Sequence, residues 1–191
     1  PISYRWLNEE KKIENFQLVS DSVNIILGNI VFLMSICGPI ITLFLSKSYA
    51  DVQYYFPLLV FTVYLSCVSE TTNLGIVFSR KTYLNIYVSS VTLVVNIFLS
   101  FIFIPNYGSR GASLSNALSF IVFFVLRTVL SAKQGFKINI NNHTIVMFYL
   151  FFSCVIKAFF NLEWYYSMIF YIPFLIFTAL KSVSYTHLTL P

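Results

Sequence analysis

YLNIYVSSVTLVVNIFLSFIFI occupies residues 83–104, PNYGSRG follows at 105–111, and ASLSNALSFIVFFVLRTVLSA runs from 112 to 132. The first run contains no Asp, Glu, Lys or Arg, and the second contains only Arg127. Each is close to the roughly 20 residues that an α-helix needs to cross bilayer hydrocarbon. Neither alternates apolar and polar residues as a half-buried strand would, and both are apolar on all helical faces. Pro105 and Gly108 punctuate the join and turn the chain.

Working outward, the same kind of run recurs. A span is expected over 23–45, kinked at Gly38-Pro39 because proline lacks the N–H that would continue the helix. A loop at 46–51 leads to a second span over 54–78, which carries Glu70. The basic turn Ser79-Arg80-Lys81-Thr82 precedes the third span, 83–104, with Asn96 near its middle. The fourth span covers 112–132. After a polar loop at 133–142, spans are expected over 144–160 and 164–180. Their join, Asn161-Leu162-Glu163, is short enough to force an antiparallel pair. The expected fold class is therefore all-α, a polytopic transmembrane bundle of about six spans over 23–181. Composition agrees: 58% of residues are hydrophobic and only 10% charged, against roughly a quarter charged in a soluble domain. A soluble domain is excluded, since so little charge cannot cover a surface in water.

The two ends of the chain differ from the rest. Residues 1–22 are polar, but Ile13, Phe16, Val19 and Val23 fall at helical spacing. They read as an amphipathic helix at the membrane surface, with Tyr4 and Trp6 at headgroup level. The chain does not begin with Met, and the expectation is that it is a piece of a longer protein. Residues 182–191 are neither a span nor a charged tail. Ser184 to Pro191 resemble translated adapter read-through, and the expectation is that they are not native.

Lys and Arg fall unevenly on alternate sides. One side takes Arg5, Lys11, Lys12, Arg80, Lys81, Arg127, Lys133, Lys137 and Lys181. The other takes Lys47, Arg110 and Lys157. The richer side is expected to be cytoplasmic, so both chain ends face the cytoplasm. The net charge of +5 is thus a matter of topology, and no nucleic-acid motif accompanies it. Cys37, Cys67 and Cys154 lie inside apolar runs without metal-ligand spacing and read as small buried hydrophobes. His143 is read as a loop residue. No catalytic motif, phosphate loop or metal spacing is present, so neither an enzyme nor a cofactor is expected.

Polar groups at membrane depth carry what chemistry there is. Glu70 costs a few kcal/mol inside a span unless it meets water or a cation. It reads as a cavity residue that binds or couples, as an ion-pair partner of Arg80, Lys81 or Arg127, or as a group reaching the interface. Arg127 either extends outward along its own stem or presents a cation to an anionic head group, and Lys157 poses the same choice at the opposite face. Asn96 hydrogen-bonds either a sugar or a neighbouring helix. Small residues form two rows, Gly111-Ser115-Ser119 and Gly108-Ala112-Asn116. Such rows permit close helix approach, and their polar members also suit a cavity wall.

These residues bring a family into view. Asn73-Leu74-Gly75-Ile76 closes the second span and Ser79-Arg80-Lys81-Thr82 follows. Ile104-Pro105-Asn106-Tyr107-Gly108 closes the third, and Arg110-Gly111-Ala112-Ser113 opens the fourth. From Phe56 to Ser131 the chain resembles bacterial polysaccharide flippases, the exporters of O-antigen and capsule repeat units. These belong to a superfamily that also holds multidrug extruders and a peptidoglycan-precursor flippase. The last two spans agree in length and hydropathy only. The resemblance implies the C-terminal half of a two-repeat transporter of about twelve spans in the bacterial inner (cytoplasmic) membrane. Its partners would be the bilayer, the N-terminal half of the same protein and an undecaprenyl-diphosphate-linked oligosaccharide, and it leaves open coupling to H⁺ or Na⁺. Glu70, Arg80, Lys81, Asn96, Asn116 and Arg127 are then the candidate substrate-binding residues. Three other readings remain: a cation-coupled drug exporter using Glu70; a membrane polymerase of the same repeat units, which the short external loops disfavour; and a purely structural membrane subunit, whose polar residues at depth would pair with protein and leave no open cavity.

Overall fold

The computed structural model describes residues 12–45 and 49–189, with side chains described for 15–45 and 49–181. Residues 1–11, which hold Tyr4, Arg5, Trp6 and Lys11, lie outside the described residues, as do Lys47 and the last two positions. Among the described residues seven helices follow in order: α1 Lys12–Ile36, α2 Gly38–Leu43, α3 Val52–Thr72, α4 Leu74–Phe78, α5 Tyr83–Lys133, α6 Asn141–Phe160 and α7 Trp164–Thr189. The fold is an all-α bundle with no strand among the described residues. Segments within α1, α3, α5 and α6 are long and apolar enough to cross a membrane. α7 has the length, and its backbone stays helical through the tail as far as Thr189.

α5 takes in both apolar runs, 83–104 and 112–132, and it is not straight. Gly108 has φ 54° and ψ −130°, a conformation that only glycine adopts without strain. The chain doubles back there into two arms, 83–107 and 109–133. Partners descend one arm as they climb the other. Gly111 lies against the Phe103 carbonyl, so close that a Cβ would sit 2.2 Å from that oxygen. Ser100 Oγ meets Ser115 Oγ at 3.0 Å, and Asn96 Nδ2 donates to Ser119 Oγ at 2.9 Å. The row Gly111-Ser115-Ser119 is thus the seam of an antiparallel helical hairpin. Small side chains let the backbones approach, and hydroxyls and amides satisfy one another away from water.

Three other boundaries have local causes. α1 stops at Ile36, and Pro39 lies in the first turn of α2, where its missing N–H costs nothing. This is the kink expected at Gly38-Pro39. The second span, expected to run unbroken to Phe78, is interrupted at Asn73. The Gly75 N–H leaves the helical ladder and donates to Ser131 Oγ at 2.9 Å, tying α4 to the end of α5. The amphipathic stretch expected to end at residue 22 has no break there, because α1 runs continuously through it.

α3 is the centre of the bundle and packs on α1, α5 and α6. Leu58, Phe61, Leu65 and Val68 of α3 join Val31 and Phe32 of α1, Ala117 and Phe124 of α5, Leu150 of α6 and Phe174 of α7 in one core. Long-range contacts fix the alternation of the helices. Arg110 beside the α5 apex reaches Asp51 before α3, and Ser35 of α1 meets Ser167 of α7. Those contacts mark one end of the bundle. Gln17 of α1 bonds Asn139 before α6 at the other end. That second end also holds the turn with Arg80 and Lys81, together with Lys133 and Lys137.

Candidate functional site

Arg127 lies in the last two turns of α5, and Glu70 and Asn73 lie at the end of α3. The hairpin brings Asn85, in the first turn of the opposite arm, beside them. Arg127 Nη1 donates to Glu70 Oε1 at 2.6 Å and Nη2 to Oε2 at 3.1 Å. This is the two-pronged geometry that guanidinium and carboxylate favour. Nη1 also donates to Ser69 Oγ at 3.0 Å, and Nε to Asn85 Oδ1 at 3.3 Å. Ser69 gives its own proton to the Ser66 carbonyl and so accepts from Arg127. With the Asn73 carboxamide oxygen turned toward the guanidinium, it accepts from Nη2 at 2.9 Å while its nitrogen donates to Asn85 Oδ1 at 3.2 Å. Every guanidinium N–H then has an acceptor. The Phe123 ring covers the group, its centroid 5.2 Å from Cζ.

Burial within this cluster is lopsided. The Arg127 side chain is 10% exposed and that of Glu70 is 63% exposed. The cation is enclosed, and the carboxylate closes it from outside. Glu70 shares its face of α3 with exposed Cys67, Val63 and Leu59, a strip of the central helix that no described element covers. Beside it, on the outer side of the first α5 arm, Asn85, Ser89 and Ser90 line an open groove of about 370 Å³ with Ile86 and Leu93.

The six residues picked from the sequence fall into three places. Glu70 and Arg127 pair with each other, so Arg127 neither extends outward nor stands free for a head group. Arg80 and Lys81 are exposed in the turn at the same end, and no ion pair joins them to Glu70 among the described residues. Asn96 and Asn116 sit in the hairpin seam, 3.4 Å apart from Nδ2 to Oδ1, and hold the two arms together. Lys157 is also enclosed: it donates to the Ser35 carbonyl and, at 3.1 Å, to Ser35 Oγ.

A second polar cluster was not found from the sequence. His143, expected in a loop, lies in the first turn of α6 and is buried. Its Nδ1 is 3.5 Å from Asp21 Oδ1 of α1. Its Nε2 is 2.8 Å from Ser20 Oγ, which is 2.7 Å from Thr71 Oγ1 of α3. Asp21 and His143 are 122 residues apart, and each looks like a surface residue in its own segment. Comparison of the chain with protein-family models, with curated proteins and with solved structures finds no match.

Proposed function

We propose that this chain forms part of a membrane transporter for an anionic, lipid-linked substrate, of the kind a polysaccharide flippase moves. In this reading the described helices make six crossings, with the end that carries Arg80, Lys81, Lys133 and Lys137 in the cytoplasm. The observation that carries the proposal is the closure of buried Arg127 by exposed Glu70. The remaining partners of the guanidinium, Ser69, Asn73 and Asn85, are fixed in the helix packing. Glu70 is the one partner with freedom to leave. A phosphate or diphosphate presents the same forked array of oxygens as a carboxylate. It can take Glu70's place on Nη1 and Nη2 while the protein keeps the other contacts. The neighbouring groove is largely apolar, with Asn85, Ser89 and Ser90 on its wall, and a lipid tail remains in the bilayer. Such a carrier is needed because a sugar-diphosphate head loses its water partners in hydrocarbon. By the resemblance over 56–131, the substrate would be an undecaprenyl-diphosphate-linked oligosaccharide.

The exposed carboxylate also favours one other reading, a drug exporter that binds organic cations at Glu70. Equilibrium binding in nanodiscs separates the two. Undecaprenyl diphosphate is expected to bind at least tenfold more tightly than undecaprenol. Arg127→Ala should weaken that binding tenfold or more, consistent with losing charge-assisted hydrogen bonds of about 1.5–3 kcal/mol each, and Glu70→Gln should strengthen it. Equal binding of the two lipids, or indifference to Arg127→Ala, would overturn the proposal. Binding of a lipophilic cation that is lost in Glu70→Gln would favour the exporter.

A further inference from the structure

Four cations that the Arg127 cluster does not use gather at one end of the bundle. Arg80 and Lys81 lie in the turn between α4 and α5, and Lys133 and Lys137 lie at the end of α5 and in the loop that follows. These two turns are neighbours. The ring of Phe78, just before the first turn, has its centroid 5.8 Å from that of Phe136, which directly precedes Lys137. Phe16 of α1 packs on both, at 6.0 and 5.4 Å. The hydrogen bond from the Gly75 N–H to Ser131 Oγ joins the same two segments. Ring contacts of this kind have a preferred geometry, so the aromatic trio fixes one turn beside the other.

All four cations are exposed, and none makes an ion pair among the described residues. Their own segments cannot neutralise them, since no Asp or Glu occurs from Thr71 to Leu162. Glu70, at the same end, is committed to Arg127. The backbone of the first turn is strained as well. Arg80 has φ 56°, a left-handed conformation that glycine adopts freely and arginine does not. In the helical turns that flank it, Val77, Tyr83, Ile86 and Tyr87 are exposed. They make an apolar wall beside the cations, with tyrosines where a membrane interface would lie. A cationic rim next to such a wall suits a ligand that carries an anionic head on apolar chains. A soluble polyanion would meet the rim but gain nothing from the wall. We propose that the two turns form a headgroup site for an acidic phospholipid of the leaflet that this end faces. Its phosphate is held by Arg80, Lys81, Lys133 and Lys137, and its acyl chains lie against the wall. The site rests on the membrane reading of the fold and not on what is transported.

Native mass spectrometry of the chain released from nanodiscs of equal phosphatidylglycerol and phosphatidylcholine, matched in acyl chains, reads the lipid that stays bound. Phosphatidylglycerol should be enriched about tenfold over phosphatidylcholine, given the attraction that each surface cation adds. Arg80→Gln with Lys81→Gln, and Lys133→Gln with Lys137→Gln, should each lower the enrichment, and the four together should abolish it. Arg80→Gly separates binding from folding. It relieves the strained turn, so the variant should unfold no more easily than the parent while its enrichment falls. Arg110→Gln, at the opposite end, should leave the enrichment unchanged. Equal retention of the two lipids, enrichment that survives the fourfold variant, or an equal loss in Arg110→Gln would overturn the proposal. So would enrichment lost in Arg127→Ala but kept in the fourfold variant, which would place the lipid at the transport site. Displacement of the lipid by excess inorganic phosphate would also overturn it, by making the rim a site for free phosphate.

Discussion

Arg127→Ala should destabilise the bundle about 2–3 kcal/mol more than Glu70→Ala, although the two residues share one ion pair. The difference follows from what each leaves behind. Glu70→Ala removes two charge-assisted hydrogen bonds, but the carboxylate is mostly exposed and such pairs contribute about 1 kcal/mol. The guanidinium keeps Ser69, Asn85 and Asn73, so the cost should be about 1–1.5 kcal/mol. Arg127→Ala removes the group that ties α3 to both arms of α5. Ser69 and Asn73 are buried and each loses a charged donor, at about 1–2 kcal/mol apiece. The Phe123 contact goes as well, at about 1 kcal/mol. The sum is about 3–5 kcal/mol, and Arg127→Lys should recover only part of it because an ammonium cannot occupy both prongs. Reversible unfolding in mixed detergent–SDS micelles measures these differences, and the double variant should cost less than the sum of the singles because both act on one cluster. Equal costs for the two alanine variants, or a larger one for Glu70→Ala, would refute the assignment of Arg127 as the enclosed partner.

Other outcomes test the hairpin and the open face of α3. In a background without native cysteines, Ser100→Cys with Ser115→Cys should oxidise readily to an intrachain disulfide, read as loss of two free thiols by mass spectrometry, because the hydroxyls are 3.0 Å apart. Gly111→Ala should cost about 1–3 kcal/mol in the same unfolding assay, since its Cβ meets the Phe103 carbonyl, which is backbone and cannot swing away. A charged, membrane-impermeant maleimide applied to native membranes should modify Cys67, which is exposed one turn from Glu70, and spare buried Cys154. Protection of Cys67 would place that face against acyl chains rather than a wet cavity.

The helices were legible because apolar length is a direct requirement of the bilayer. The reversal at Gly108 and the kink at Gly38-Pro39 were legible because glycine and proline act locally, but Pro105, expected to stop the third span, lies inside a helix that continues to Tyr107. The small-residue rows of the fourth span pointed to a close seam, and the seam is there, against the third. The interruption at Asn73 was not legible, since its cause is Ser131, which lies 56 residues beyond Gly75. The same limit applied to the polar groups. Glu70 had three named partners and the sequence could not choose among them, because helical spacing tells which residues share a face but not which distant face they meet. Asp21 and His143 were missed altogether. Each looked like an ordinary polar residue near the end of a span, and only the packing of α1 against α6 shows that they face one another in the interior.

The doubled-back α5 also bears on how the protein enters its membrane. Nearly all the polar side chains of residues 83–133 that point into the seam are uncharged and find partners within the hairpin itself. Arg110, the basic residue near the apex, meets Asp51 from the preceding segment. Apart from Arg127, whose carboxylate partner lies on α3, a nascent hairpin that pairs its own amides and hydroxyls leaves few polar groups facing lipid, which favours its entry as one unit over two helices that search for each other. Gly108 lies open at the tip, with nothing near the place a side chain would occupy, so the turn itself adds no bulk to that unit.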